Sequence, residues 1–175
     1  AQESRGLGDV YKRQHLLFRS SASLIEITGL SKLSGLTRPT VMSYLEAMRI
    51  SNMLYLLPPF HGGGRREITQ RSKCYCFDTG LVSFINGWND IRDNDRGLLW
   101  EHLVLDLLRT RFMEHQIFYW RDKSGREIDF VIKGLGNSID IIECKINPDK
   151  LSSVHLKKFR EIYPTGNNYL SLIHI

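Results

Sequence analysis

Two strand-like runs in the second half of the chain carry charged residues on a face that is otherwise apolar. In residues 138–147, SIDIIECKIN, Cys144 and Ile146 fall on one side of an extended chain. Successive side chains of a strand point to opposite faces, so Glu143 and Lys145 share the other side with isoleucines. This pattern predicts a strand whose second face changes from apolar to charged. An ordinary surface ion pair on a half-exposed antiparallel strand is the alternative interpretation.

The preceding run, residues 125–134, also has a charged residue among apolar ones. Ile128 and Phe130 lie on one face of this strand, and Asp129 lies on the other. The letters KGLGNS then predict a turn, so the two runs pair as a hairpin. The hairpin is predicted to fold near Leu135 or Gly136, and a fold at Gly136 keeps both apolar faces together and sets Asp129 opposite Glu143. Directly opposed Cβ atoms lie about 4.5 to 5.5 Å apart, a distance at which two carboxylates repel unless a cation lies between them.

The first half of the chain shows helical spacing followed by two strand-like runs. Residues 15–78 predict a helix, a turn, a second helix in LTRPTVMSYLEAMR and two strands, which is the order of a winged helix. Thr37 is expected to cap the second helix, and Pro39 suits its first turn. The positions that recur at helical spacing predict its core face: Val41, Tyr44, Leu45 and Met48.

A DNA-binding role is predicted for the polar side of this first domain. In helix-turn-helix proteins the second helix enters the major groove, and a basic loop can reach phosphates beside it. The residues assigned to that role are Arg38, Thr40 and Ser43 on the helix and Arg65, Arg66, Arg71 and Lys73 around the glycine-rich turn. The helix itself carries few charges, so a spacer or protein-docking role is the alternative.

The second domain opens with a long helix in residues 98–113, LLWEHLVLDLLRTRFM. Glu101 shares a stripe of that helix with Leu105 and Leu108. A carboxylate on a buried stripe is costly unless it meets a cation or a donor, so Glu101 is a candidate site residue. Its alternative is a position at the exposed rim, where the helix N-terminus favours negative charge. His102 is expected to be a packed or surface residue, because it points about 100° away from Glu101.

Composition narrows the class of protein. The 175 residues are 42% hydrophobic and 25% charged, as in globular domains, and the formal charge of +5 is compatible with polyanion binding. The chain shows neither an apolar run of roughly 20 residues nor the core of a secretory signal, so a cytoplasmic location is expected. The motif G-x-x-x-x-G-K-[ST] is absent from the sequence, and we therefore assign no ATP site to this chain.

The acids and the lysine together resemble the PD-(D/E)XK nuclease core of restriction-endonuclease-like enzymes and junction resolvases. Asp129 matches the first acid, Glu143 to Lys145 match E-x-K, and Glu101 matches the acid of the leading helix. The resemblance implies that Asp129, Glu143 and the backbone carbonyl of Cys144 hold Mg²⁺, with Glu101 binding the metal directly or through water. Lys145 would position the attacking water or stabilise developing charge. The motif's proline is replaced by Ile128.

Residues 15–170 as a whole resemble the C-terminal region of bacterial and archaeal AAA-superfamily ATPases. The segments that carry the resemblance are LTRPTVMSYLEAMRISNMLYLLPPF, FDTGL, LLWEHLVLDLL, YWRDKSGREIDFVI and IECKI. It implies an α/β (α+β) chain with a winged-helix domain at 15–78, a connection at 79–96 and a restriction-endonuclease-like core with a mixed sheet at 97–170. A P-loop ATPase module is expected to precede these domains. The termini, 1–14 and 171–175, resemble sequencing-adapter read-through and are excluded from the domains.

Overall fold

A computed structural model of the protein describes residues 18–19, 21–62, 71–134 and 138–173. The helices are α1 (Ile27–Ser34), α2 (Arg38–Ile50), α3 (Thr79–Ile85), α4 (Asp93–Arg111) and α5 (Ser153–Ile162). The strands are β1 (Ser23–Leu24), β2 (Leu54–Leu57), β3 (Lys73–Cys76), β4 (Ile117–Arg121), β5 (Glu127–Lys133), β6 (Ile139–Lys145) and β7 (Asn168–Leu172). The chain forms two compact units, and the described part of the first consists of residues up to Leu56 together with Arg71–Ile91.

The first unit contains two helices followed by two strands, in the predicted order, and the short strand β1 precedes them, which the sequence analysis did not predict. Its three-stranded sheet has the order β1-β3-β2, and β1 runs antiparallel to β3. As predicted, the Thr37 hydroxyl caps α2 by accepting a hydrogen bond from the Thr40 N–H, and Pro39 lies in the first turn. Val41, Leu45 and Met48 are buried in agreement with the helical spacing.

One core residue of α2 was wrongly predicted. Tyr44 is 38% exposed, although it lies three residues from Val41 and four from Met48. Residues 41, 45 and 48 follow one line along a helix, and position 44 falls on the flank of that line, where a large side chain can remain in solvent. The winged-helix interpretation of this unit remains a prediction.

The second unit contains a four-stranded mixed sheet with the order β4-β5-β6-β7. Strands β4, β5 and β6 are antiparallel neighbours, and β7 returns parallel to β6 after α5. A parallel return requires a crossover, which α5 supplies. The predicted α+β class with a mixed sheet is therefore confirmed.

The register of the central hairpin matches the fold predicted at Gly136. Val131 pairs with Ile141, and Phe130 pairs with Ile142. Each pair is centred on position 136, although residues 135–137 themselves lie outside the described part of the chain. The alternation of apolar residues restricts this register, because a slip by one residue would move every core side chain to the opposite face.

An aromatic cluster closes the core of the second unit beneath α5. Trp120 and Phe159 are fully buried, with ring centroids 5.3 Å apart. Phe60 packs edge to face on Tyr163, and its backbone N–H donates to the carbonyl of Tyr119. The described segment 57–62 therefore belongs to the second unit. The sequence had assigned this segment to the domain at 15–78.

Candidate carboxylate and lysine site

The predicted acids of the central hairpin lie on one face of the sheet. The register that pairs Phe130 with Ile142, continued by one pair, sets Asp129 on β5 opposite Glu143 on β6. Both side chains reach the ammonium of Lys145, which also lies on β6. Glu143 is only 4% exposed. Two carboxylates therefore meet in a largely dry position.

Lys145 bridges these two carboxylates. Its Nζ lies 2.6 Å from Oε2 of Glu143 and 3.2 Å from Oδ2 of Asp129. The Asp129 Oδ2 atom accepts a second hydrogen bond, of 2.8 Å, from the backbone N–H of Cys144. A protein ammonium thus occupies the place between the acids for which the sequence alone had predicted a metal ion.

The electrostatics of the pair follow from burial and mutual repulsion. Burial is the largest cause that raises the pKa of Glu143, and the charge of Asp129 adds to it. Against the opposing effect of Lys145, these causes together bring the pKa to about 7. Burial acts to lower the pKa of Lys145, but the carboxylates of Asp129 and Glu143 outweigh it and raise that pKa above its ordinary value. Lys145 therefore carries its positive charge at neutral pH.

One carboxylate oxygen of the site has no donor. Oε1 of Glu143 is buried and receives no hydrogen bond from any described residue. A buried charged oxygen without a partner is unfavourable, and a cation is a group that would satisfy it. Mg²⁺ is held in many proteins by one or two carboxylates together with water and phosphate oxygens. Asp129 and Glu143 fit that donor set.

Glu101 is not brought into this pair. Its helix, α4, packs on β6, and a groove of about 490 Å³ is lined by Leu108 of α4 together with Ile132 and Ile142 of the sheet. Ile142 points to the face opposite Glu143, so α4 lies on the other side of the sheet from the carboxylate pair. Among the described residues, no group of three acidic, histidine or cysteine side chains is placed to hold a metal.

Two further titratable groups near α4 are Cys144, on that other side of the sheet, and His102, which is part of α4. Burial raises the pKa of the Cys144 thiol, and the charges of Asp129 and Glu101 raise it further, so the thiol is protonated at neutral pH. His102 is 3% exposed, and burial lowers its pKa to about 4. A neutral, buried imidazole agrees with the prediction that His102 is a packed residue.

The side chains predicted to contact DNA are in different environments. Arg38 and Ser43 are exposed on α2, whereas the hydroxyl of Thr40 lies 2.8 Å from that of Thr37 within the helix cap. Arg71 lies 3.8 Å from Glu26 in an exposed ion pair. Arg65 and Arg66 lie outside the described residues.

Lys73 does not offer its ammonium to a phosphate. It is 3% exposed within β3, where its backbone position pairs with Leu24 of β1. The sequence had grouped Lys73 with the basic turn because of its neighbours in the chain. Strand β3 instead draws it into the sheet, since a central strand is covered on both edges.

Sequence reasoning missed the contribution of the Cys144 backbone N–H. Cys144 had been assigned a role through its carbonyl, yet its N–H is the group that holds the Asp129 carboxylate. A main-chain donor is present at every residue except proline, so the amino-acid letters carry no signal for it. Only the strand register could have indicated that this N–H faces Asp129.

Comparison with known families gives two matches, which cover separate parts of the chain. Residues 96–173 match the model of DUF4143, a domain of unknown function found in C-terminal regions associated with AAA ATPases. Residues 7–92 match a second domain of unknown function, DUF8612. The two matches extend into the terminal segments 1–14 and 171–175 that the sequence analysis set aside.

Two curated relatives are similar to part of the chain. Uncharacterized proteins of Mycobacterium bovis and Mycobacterium tuberculosis are each 26% identical to it over 98 residues, which is 54% of this chain and 22% of each relative. The matched region thus spans about a fifth of the length of these proteins. No solved structure matches the chain. In the part of the chain that the structure describes, no helix is long and apolar enough to cross a membrane.

Proposed function

We propose that this chain is a DNA-associated, C-terminal part of an AAA-type ATPase, and that its second unit is a Mg²⁺-dependent phosphodiester-cleaving nuclease of the PD-(D/E)XK type. One observation carries the proposal. Asp129 and Glu143 face each other beside Lys145, and a buried oxygen of Glu143 has no donor among the described residues. The DUF4143 match supports the association with an ATPase.

Each residue of the site has a defined part in this proposal. Asp129, Glu143 and the Cys144 carbonyl would hold Mg²⁺, which supplies Lewis-acid activation of water and of the phosphoryl group when it is bound. The hydrogen bond from the Cys144 N–H fixes the orientation of Asp129. The ammonium of Lys145 is the cationic side chain that can stabilise negative charge on the attacked phosphate. Glu101 is left out, because α4 approaches from the opposite face.

Cleavage by the purified chain is the direct test. Supercoiled, branched and single-stranded DNA are incubated with the 175-residue chain and Mg²⁺ or Mn²⁺, with EDTA as the metal-free control. We expect cleavage that requires the metal and that is lost in Asp129→Asn and in Lys145→Met. Lys133→Met is the matched control, because Lys133 is an exposed lysine on the same sheet, and it should retain cleavage.

Equal cleavage by wild type and Asp129→Asn would assign the activity to a contaminant. Absence of cleavage on every DNA would contradict the nuclease function of this chain and favour a module that binds without catalysis.

A non-catalytic, protein-binding module is the second candidate, and the surface of α2 favours it. Met42 is 58% exposed and Ile50 is 67% exposed on this helix. Arg49 is engaged by Glu46 through two hydrogen bonds of 2.9 and 2.7 Å. An apolar helix face with a neutralised arginine is suited to a protein partner better than to phosphates. If the chain keeps its DNA affinity after Arg38→Ala, this surface of α2 does not contact DNA. That result would support the second candidate.

A further inference from the structure

The position of Lys145 affects how a metal ion could bind between Asp129 and Glu143. The inference drawn from it rests on the proposed function. The ammonium contacts Oε2 of Glu143 and Oδ2 of Asp129, so it uses one oxygen of each proposed metal ligand. A divalent cation that bound the same pair would stand beside an ammonium group. Two cations that compete for the same oxygens also repel each other.

We propose that Lys145 is an internal competitor of the metal, and that the metal binds strongly only when an anionic group draws the ammonium away from the carboxylates. The phosphodiester substrate is the anion that would do so. Metal and substrate would then bind cooperatively, because each one favours the arrangement in which Lys145 has left the pair.

The solvent exposure of the three side chains supports a movable Lys145 and two fixed carboxylates. The side chain of Lys145 is 23% exposed, whereas those of Asp129 and Glu143 are 14% and 5% exposed. The flexible four-carbon stem of a lysine can turn its ammonium toward solvent. Asp129 is held by the Cys144 N–H, and Glu143 is buried. The lysine is therefore the movable member of the site.

The free oxygen of Glu143 indicates why the competition does not exclude a metal altogether. One ammonium leaves Oε1 of Glu143 without a donor among the described residues, so the charge of the pair is incompletely compensated. A divalent cation with its water ligands could compensate both carboxylates. In the arrangement without metal, Lys145 therefore compensates the charge of the two carboxylates only in part. A metal can replace Lys145 there once the ammonium has another anion to contact.

The test is Mn²⁺ affinity, measured by electron paramagnetic resonance on the full chain without DNA. We expect Lys145→Met to bind Mn²⁺ roughly tenfold more tightly than wild type, within the usual range of coupling between sites. Methionine keeps the apolar stem and removes the charge. Lys133→Met, which removes an exposed lysine of the same sheet, should leave the affinity unchanged, and Asp129→Asn should weaken it.

A second measurement is decided on wild type, so its outcome does not depend on the folding of a variant. Sulfate, compared with chloride at constant ionic strength, should strengthen Mn²⁺ binding to wild type, because it offers Lys145 an alternative anion. In Lys145→Met the sulfate effect should disappear. The absence of a sulfate effect in wild type would overturn the proposed competition.

The outcomes separate this inference from the proposed function. If wild type binds Mn²⁺ through Asp129 but Lys145→Met binds it equally or more weakly, the competition is wrong and the metal site stands. If neither protein binds Mn²⁺, the metal site fails and the competition fails with it.

Discussion

Asp129 accepts a 2.8 Å hydrogen bond from the backbone N–H of Cys144, a residue on the neighbouring strand. The regular pairing of β5 with β6 extends from Lys133 and Ile139 to Phe130 and Ile142. One residue beyond it, the Asp129 carboxylate accepts a hydrogen bond from the Cys144 N–H. If the regular pairing continued, that N–H would donate to a backbone carbonyl of β5 instead. The site therefore lies where the hairpin changes from backbone pairing to side-chain pairing, and the sheet itself holds Asp129 in place.

The raised pKa of Glu143 predicts a pH dependence of stability in the metal-free protein. The folded state binds this proton up to a pH of about 7, whereas the unfolded carboxyl has the ordinary value of 4.5. Between these values the folded state binds more protons, so the free energy of unfolding falls as pH rises, by at most about 1.4 kcal/mol per unit. Glu143→Gln should remove this dependence in EDTA-containing buffer, as measured by urea unfolding from pH 4.5 to 8.

The difference between wild type and Glu143→Gln isolates this effect from that of His102. The pKa of His102 is lowered to about 4 in the folded state, so its contribution has the opposite sign and is gained as pH rises from about 4 to 6.5. Both proteins share that contribution. Parallel stability curves for the two proteins would contradict the assigned pKa of Glu143.

Arg160 is predicted to stabilise the connection between α5 and β7. Its guanidinium donates to the side chain of Asn168 and to four backbone carbonyls, those of Ile139, Tyr163, Thr165 and Asn167. Lysine cannot reproduce this planar array of donors. Arg160→Lys should lower the free energy of unfolding by about 2 to 3 kcal/mol, as measured by chemical denaturation. Arg109→Lys, at an exposed position on α4, should change it by less than about 0.5 kcal/mol.

Gly166 is predicted to tolerate no side chain. Its φ is 112°, and a Cβ atom there would overlap the backbone carbonyl of Ile139. Gly166→Ala should cost roughly 3 kcal/mol or more, because backbone strain and a backbone clash act together. Gly125, with a φ of 80° and only an ordinary contact near the added Cβ, is the matched control. Gly125→Ala should cost about 1 kcal/mol, and equal losses in thermal unfolding would contradict the clash.

The predicted basic turn gives a prediction about DNA affinity. Arg65 and Arg66, both outside the described residues, are expected to contact phosphates, each adding about −0.9 to the slope of log K against log salt. The Arg65→Ala/Arg66→Ala double variant should therefore flatten the slope by roughly 1.8 in fluorescence anisotropy titrations. Arg49→Ala is the control, because its guanidinium is already paired with Glu46. An unchanged slope in the double variant would favour the spacer or protein-docking role.

The sequence by itself determined the two strands of the central hairpin and which of their faces is apolar. Alternating apolar residues around Asp129 and Glu143 restrict the hairpin to pairings that bury both apolar faces, and the structure has the one of these that is centred on Gly136. The N-cap at Thr37 and the buried line through Leu45 were likewise predictable, since capping and helical spacing depend on residues within one turn of each other.

The tertiary structure alone decided which other charged groups join the predicted pair of Asp129 and Glu143. Glu101 and Glu143 are both acids beside apolar stripes, yet α4 and the side chain of Glu143 lie on opposite faces of the sheet, which no local pattern specifies. Lys73 was separated from the basic turn because β3 became the central strand of its sheet. The bridge from Lys145 to Asp129 spans 16 positions along the chain. Local spacing fixes where a side chain points, whereas the long-range pairing of strands and helices fixes which charge stands opposite it.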